Sequence, residues 1–289
     1  MTTYNTPTIR AMAALLEQPA TLGFQSLVTL KGGVQESPVF IVHGLGGSAM
    51  EFFQLTTHIQ SRRPIYGLQS KGIDGAAEPF VRVEDMAQFY LHAMKERQPR
   101  GPYFLMGYSF GGLVALEMAQ RLSESGEKVA LLAMLDTYPH PRHLRLRQRA
   151  RLAFHTAKFR VSAVMQLPRR DALSYIARRS RRLLHISQDH NRTLVRPLIG
   201  VPLTPQMLRI RDSDYRAWTN YQPRFYRGKI NFVRAQIRTE FPDDPVEVWA
   251  DLARDLEVET VPGDHHGILS TYCKELAAVI SGYLRQASC

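Results

Sequence analysis

Cysteine is scarce in this chain: only Cys273 and Cys289 occur in 289 residues. Two thiols cannot make a disulfide framework, and neither stands among other residues at metal-ligand spacing, so a disulfide-stapled secreted domain and a cysteine-ligated metal centre are both excluded. No apolar run approaches the ~20 residues that span a bilayer, and the N-terminus carries no signal-peptide pattern. Internal repeats and low-complexity tails are also missing. What is left is one domain of α/β size with an insertion, acting in the cytoplasm without a metal. A hydrophobic content of 44% is enough to give it a full core.

Negative charge is missing from one stretch only. Between His140 and Arg182 there are 13 Lys and Arg against a single acid, Asp171, leaving 24 basic and 25 acidic residues elsewhere. The net charge of +11 therefore resides in one segment, and a nucleic-acid-binding surface spread over the molecule is not indicated. Within it, Leu146, Ala150, Ala153, Ala157, Val161 and Val164 recur every three or four residues, which predicts an amphipathic helix. Three uses fit such charge: a solvated face, a docking surface for an acidic partner or a phosphate, or a membrane-surface helix.

The most informative motif is Gly107-Tyr108-Ser109-Phe110-Gly111. It follows the apolar run Tyr103-Phe104-Leu105-Met106 and precedes Leu113-Val114-Ala115-Leu116-Glu117-Met118-Ala119, which is helix-like. Gly-x-Ser-x-Gly between a strand and a helix is the nucleophile elbow of the α/β-hydrolases, and it nominates Ser109 as nucleophile. The Phe110 N–H, at the helix start, would face an oxyanion formed by attack of the serine Oγ.

Serine needs a base, and the base needs an orienting acid; in this fold they follow in the order Ser, Asp or Glu, His. Leu131-Leu132-Ala133-Met134-Leu135 reads as a buried parallel strand with Asp136 at its C-terminal end, where catalytic groups of such sheets gather. Leu256 to Val261 alternates as a strand, and Pro262-Gly263-Asp264-His265-His266-Gly267 follows as a loop. Only one of the two adjacent histidines can face the serine; the other packs or caps the next helix. Upstream, Val39-Phe40-Ile41-Val42 predicts a strand, and His43-Gly44-Leu45-Gly46-Gly47-Ser48 a glycine-rich oxyanion loop. A phosphate-binding loop is not supported, because neither the Lys-Ser/Thr pair nor the Gly-x-Gly-x-x-Gly spacing is present.

These residues together resemble the thioesterase domains that end polyketide and non-ribosomal peptide synthases and are related to the fatty-acid synthase thioesterase. The resemblance covers most of residues 26 to 285. It rests on Ser37 to Gly44, on Ile65-Tyr66-Gly67-Leu68-Gln69, on the elbow with Gly112, on Leu135-Asp136, on Tyr221 to Gly228, and on Gly263-Asp264-His265. It implies an α/β-hydrolase fold, a mostly parallel sheet with helices on both faces and a helical lid inserted at about 139–205. It also implies Ser109, Asp136 and His265 as the triad, favouring His265 over His266, with the N–H groups of Leu45 and Phe110 as oxyanion donors. The substrate would be an acyl, polyketide or peptidyl thioester delivered on the phosphopantetheine arm of an acyl or peptidyl carrier domain, with no cofactor of the enzyme's own. Release would be hydrolysis or intramolecular cyclisation. Residues Thr6 to Glu17 look like the last helix of a carrier domain, so residues 1–25 are expected to be a carrier-like helix and linker, and 26–289 the thioesterase domain. Two other readings are a free-standing carboxylesterase or lipase, and a non-catalytic binding module on a hydrolase fold; the second would be expected to have lost a member of the triad.

Overall fold

A computed structural model describes residues 24–34, 36–165, 204–237 and 244–287. The expected carrier-like helix of residues 1–25 lies outside them but for its last two residues, as do residues 166–203 of the expected lid. Seven strands form one sheet in the order β1-β3-β2-β4-β5-β6-β7. They are β1 (Leu27–Lys31), β2 (Val39–Val42), β3 (Ile65–Leu68), β4 (Tyr103–Tyr108), β5 (Val129–Leu135), β6 (Tyr226–Ala235) and β7 (Ala253–Val261). Only β1 runs antiparallel to its neighbour; all other pairings are parallel.

The strands read as apolar runs because both faces of the sheet are covered. In β2, Phe40 and Val42 join the core under α2 (Val83–Arg97) and α3 (Phe110–Glu124). Val39 and Ile41 point the other way, against α1 (Phe53–His58) and α7 (Cys273–Gln286). Each of these four side chains is fully buried, and burying one of this size contributes about 1.5–3 kcal/mol. The parallel register aligns the C-terminal ends of the central strands: Val42 opposite Gly107, Tyr108 opposite Leu135, and Leu135 opposite Val233. The loops leaving β2, β4, β5 and β7 therefore converge on one edge.

After β5 the chain passes through a short 3-10 turn (Pro141–His143) into α4 (Leu146–Met165), and it returns through α5 (Pro205–Asn220). The amphipathic helix predicted from Leu146 onward is present, but the described part of its apolar stripe, Leu146 to Ala157, does not face the core. Leu146, Ala150, Ala153 and Ala157 are exposed, Leu146 by 79%. Polar side chains hold the helix instead. Arg145 pairs with Asp251, Arg151 with Glu247, and Gln148 donates to the Glu247 carbonyl at 2.6 Å. Residues 145, 148 and 151 recur every three positions, so the inward face is the polar one, with Leu152 packed beside it. Glu247 belongs to the short α6 (Pro245–Trp249). The return segment after α5 is fastened by Tyr221, whose hydroxyl donates to Glu117 at 3.0 Å, and by Arg224 on Glu124 at 2.8 Å.

Candidate active site

Ser109 stands between β4 and α3 with φ 54° and ψ −121°, a conformation that L-residues rarely adopt. Its N–H donates to the Leu135 carbonyl of β5 at 2.8 Å, which fixes the turn to the neighbouring strand. The chain can make this turn because Gly111 lies against the end of β2: a Cβ there would sit 2.1 Å from the His43 carbonyl oxygen. The short turn leaves the serine hydroxyl projecting at the C-terminal edge of the sheet.

Asp136 follows β5 with φ 46°, a left-handed conformation that aspartate tolerates better than most residues. Its N–H donates to the Val233 carbonyl at 2.7 Å, and its Oδ1 accepts from the Ala235 N–H at 3.1 Å. The second oxygen, Oδ2, lies 2.7 Å from His265 Nδ1, and His265 Nε2 lies 2.9 Å from Ser109 Oγ. A carboxylate oxygen only accepts, so Nδ1 carries the proton and Nε2 is left to accept from the serine hydroxyl. Residues separated by 27 and 129 positions in sequence thus form one hydrogen-bonded relay. Of the paired histidines, His265 is the one in it. His266 sets its ring edge-on against that of His265, with centroids 5.3 Å apart.

The sequence did not mark out Tyr108 as a support, yet it buttresses the relay directly. Its ring stacks on the His265 imidazole at 4.8 Å, and its hydroxyl donates to the His265 carbonyl at 2.6 Å. Burial pushes that hydroxyl well above the usual tyrosine range, so it stays a donor. The only signal for it in the sequence was its place inside the elbow.

The two expected oxyanion donors stand at the start of α3 and in the loop after β2. The Phe110 N–H is the first of α3 and has no intrahelical partner. The Leu45 N–H makes no hydrogen bond among the described residues, whereas its neighbours do: Gly44 N–H donates to Glu51 Oε1 at 2.5 Å and Gly46 N–H to Asp214 Oδ2 at 3.1 Å. His43 heads this loop but turns into the core. Its Nδ1 is 2.6 Å from the Gly44 carbonyl, which fixes the proton on that nitrogen, and Nε2 accepts from Tyr90 at 2.7 Å. Burial lowers its pKa to about 4, so it is a neutral structural group. Sequence reasoning passed over Glu51 and Asp214. Ser48-x-x-Glu51 has the form of a capping box, but the glutamate reaches Gly44 rather than closing on Ser48.

The described residues contain no group of three or more His, Cys, Asp or Glu placed to hold a metal, and no helix among them is long and apolar enough to cross a membrane. The sheet order, the elbow after β4, the acid after β5 and the histidine after β7 invite comparison with known proteins. A model of the thioesterase-domain family matches residues 37–285. The chain belongs to that family. This thioesterase domain is 38% identical over 138 residues to a dimodular nonribosomal peptide synthase of Bacillus subtilis, an alignment covering 47% of the chain and 6% of that protein. It is 35% identical over 117 residues to the atromentin synthetase of Tapinella panuoides, covering 40% of the chain and 12% of that protein. The domain thus spans a small part of the synthetases it matches. Among solved structures, the NocB thioesterase domain in covalent complex with a fluorophosphonate nocardicin G analogue aligns over 86% of the chain and 95% of its own, with a TM-score of 0.60 at 23% identity. A four-domain nonribosomal peptide synthetase bound to AMP and glycine aligns over 96% of the chain and 21% of its own, with a TM-score of 0.65 at 23% identity. These likenesses establish the α/β-hydrolase fold.

Proposed function

We propose that this domain releases an acyl, polyketide or peptidyl chain from the phosphopantetheine arm of a carrier domain through an acyl-enzyme on Ser109. The observation that carries the proposal is the relay at the sheet edge, Ser109 Oγ to His265 Nε2 at 2.9 Å and His265 Nδ1 to Asp136 Oδ2 at 2.7 Å. Membership of the thioesterase family and relatives that are synthetases support it. His265 takes the Ser109 proton as Oγ bonds to the thioester carbonyl carbon, and Asp136 stabilises the imidazolium. The Leu45 and Phe110 N–H groups receive the oxyanion. Collapse breaks the C–S bond, and His265 returns the proton to the departing pantetheine sulfur. Water, or a hydroxyl or amine of the chain itself, then attacks the acyl-enzyme with His265 again as base, giving an acid, a lactone or a lactam. The pantetheine arm belongs to the substrate, and the enzyme brings no cofactor of its own. A cytoplasmic site of action and a carrier-derived segment at residues 1–25 are parts of the same reading.

The test is intact-protein mass spectrometry after a pantetheine thioester or a fluorophosphonate. Wild type is expected to show one adduct, and Ser109→Ala none, with turnover lower by on the order of 10⁴- to 10⁶-fold. An adduct of equal yield in the alanine variant would sink the assignment. The mass of the released product separates hydrolysis from cyclisation, since the cyclic product is lighter by one water.

A further inference from the structure

We propose that Asp214 is a positioning residue that couples the helix returning from the lid to the oxyanion loop, holding the Leu45 N–H in place by fixing Gly46. This rests on the reading of Leu45 as an oxyanion donor. Three observations lead to it. The N–H groups on both sides of Leu45 are tied to carboxyl oxygens, Gly44 to Glu51 and Gly46 to Asp214, while the Leu45 N–H between them is unspent among the described residues. Glu51 is local to the loop, seven residues on, but Asp214 comes from α5, 168 residues away. The same helix also presses on the next residue of the loop. Gly47 has φ +82°, and a Cβ on it would lie 2.7 Å from Ile210 Cγ2, one helical turn before Asp214.

Asp214 is fully buried, and the bond to Gly46 is its only side-chain hydrogen bond among the described residues; Oδ1 has none. A buried carboxyl with one unpartnered oxygen costs stability rather than adding to it, so the site it serves must be found among its contacts. Burial also pushes its carboxyl well above the usual range, which favours the protonated form. In that form asparagine is a near-isostere that still offers an oxygen to Gly46. The consequence is a loop whose donor geometry depends on α5 being seated. When α5 is displaced, Gly46 loses its acceptor and Gly47 its wall, and the loop is free to turn the Leu45 N–H away.

The experiment compares D214A and D214N with wild type in two reactions: turnover of a hexanoyl pantetheine thioester, and phosphonylation of Ser109 by a fluorophosphonate. Both reactions turn an oxygen, the thioester oxyanion or the phosphoryl oxygen, toward the Leu45 and Phe110 N–H groups as Oγ attacks, but only the first requires thioester chemistry. D214A is expected to lower kcat and the phosphonylation rate together, by on the order of 10- to 100-fold, with KM within about 3-fold; losing one donor outright costs about 10²–10³. D214N is expected to stay close to wild type in both. Thermal melts confirm that each variant is folded at the assay temperature, and D214S, too short to reach Gly46, replaces the alanine variant if that fails to fold. Wild-type rates in D214A, a loss in D214N equal to that in D214A, or a raised KM with unchanged kcat would each overturn the proposal. A wild type that is phosphonylated on Ser109 but leaves the thioester intact breaks the thioesterase reading alone, and the phosphonylation rates still decide the role of Asp214.

Discussion

The Ser109–His265–Asp136 relay and the loop at residues 44–47 are held by different means. Ser109 and Asp136 are held mainly by backbone: their N–H groups bond to carbonyls of adjacent strands at 2.8 and 2.7 Å, and Asp136 takes a further N–H from Ala235, while His265 rests on Tyr108, itself a residue of β4. The loop after β2 leans on side chains, Glu51 from seven residues on and Asp214 from α5. Backbone hydrogen bonds within a sheet give way only when the sheet does, whereas a side-chain tether to a neighbouring helix shifts when that helix shifts. The difference teaches where adjustment is built in. The Ser109–His265–Asp136 relay is fixed with the sheet, and the loop at residues 44–47 is fixed with α5.

The largest expected effect breaks the relay. His265→Ala should lower kcat for a pantetheine thioester by on the order of 10⁴-fold, while His266→Ala, which loses an edge-on ring contact with His265, should cost a few-fold. Steady-state kinetics of the two variants decide this; an inactive H266A beside an active H265A would remove His265 from the base position.

A smaller effect sharpens the loop side. Burial raises the Glu51 pKa from 4.5 to about 8, beside Asp214 and Tyr108, which feel its charge. Below about pH 4.5 the carboxyl is protonated whether the chain is folded or not. Between pH 4.5 and 8 the unfolded chain gives up the proton and the folded one keeps it, so stability falls as pH rises and levels off above 8. Glu51→Gln has no proton to lose. Its Tm should match wild type near pH 4.5 and exceed it above pH 8. Glu51 keeps part of its surface in water, so a gap of about 2–4 °C, equivalent to roughly 1 kcal/mol, is the expected size. Thermal melts from pH 4.5 to 9 with a constant gap would show that the carboxyl ionises in the loop at its ordinary pH.

The smallest effect separates two uses of the basic helix. Arg145 and Arg151 are engaged with Asp251 and Glu247, whereas Arg147 and Arg149 are exposed and have no ion pair among the described residues. R145E/R151E should lower stability by no more than about 1 kcal/mol per pair and slow small and carrier-bound thioesters alike, because both see the same lid. R147E/R149E should spare stability and the small thioester, and lower kcat/KM only for the carrier-bound one, with a weaker salt dependence. Equal losses on both substrates for R147E/R149E would return that charge to a solvated face.

What could be read from the sequence divides along the same line. The elbow, the acid after Leu135 and the histidine after Val261 are legible because each sits at a fixed offset from a strand end, and strand ends show in the apolar pattern. The register between His265 and His266 needed the family resemblance, since spacing alone allows either. Glu51 and Asp214 were not legible: their role depends on which N–H each one meets, and for Asp214 that partner is 168 residues away. The lid arginines carried a similar ambiguity. Charge counted along the chain showed an unbalanced segment, yet two of its members are answered by acids about 100 residues later, which only the fold brings near. The orientation of the apolar residues from Leu146 to Ala157 was not legible for a related reason. Periodicity tells which residues share a face, not which face turns inward.

The backbone at position 109 has one more implication. A φ of 54° with a ψ of −121° is a conformation glycine would occupy at lower energy, by about 1–3 kcal/mol. With Ser109 as the proposed nucleophile, heat resistance and chemistry favour different amino acids at this position. A laboratory evolution campaign that rewards only survival at high temperature would replace the serine with glycine and deliver a sturdier, inert protein. Screening for this domain therefore has to score turnover and melting together.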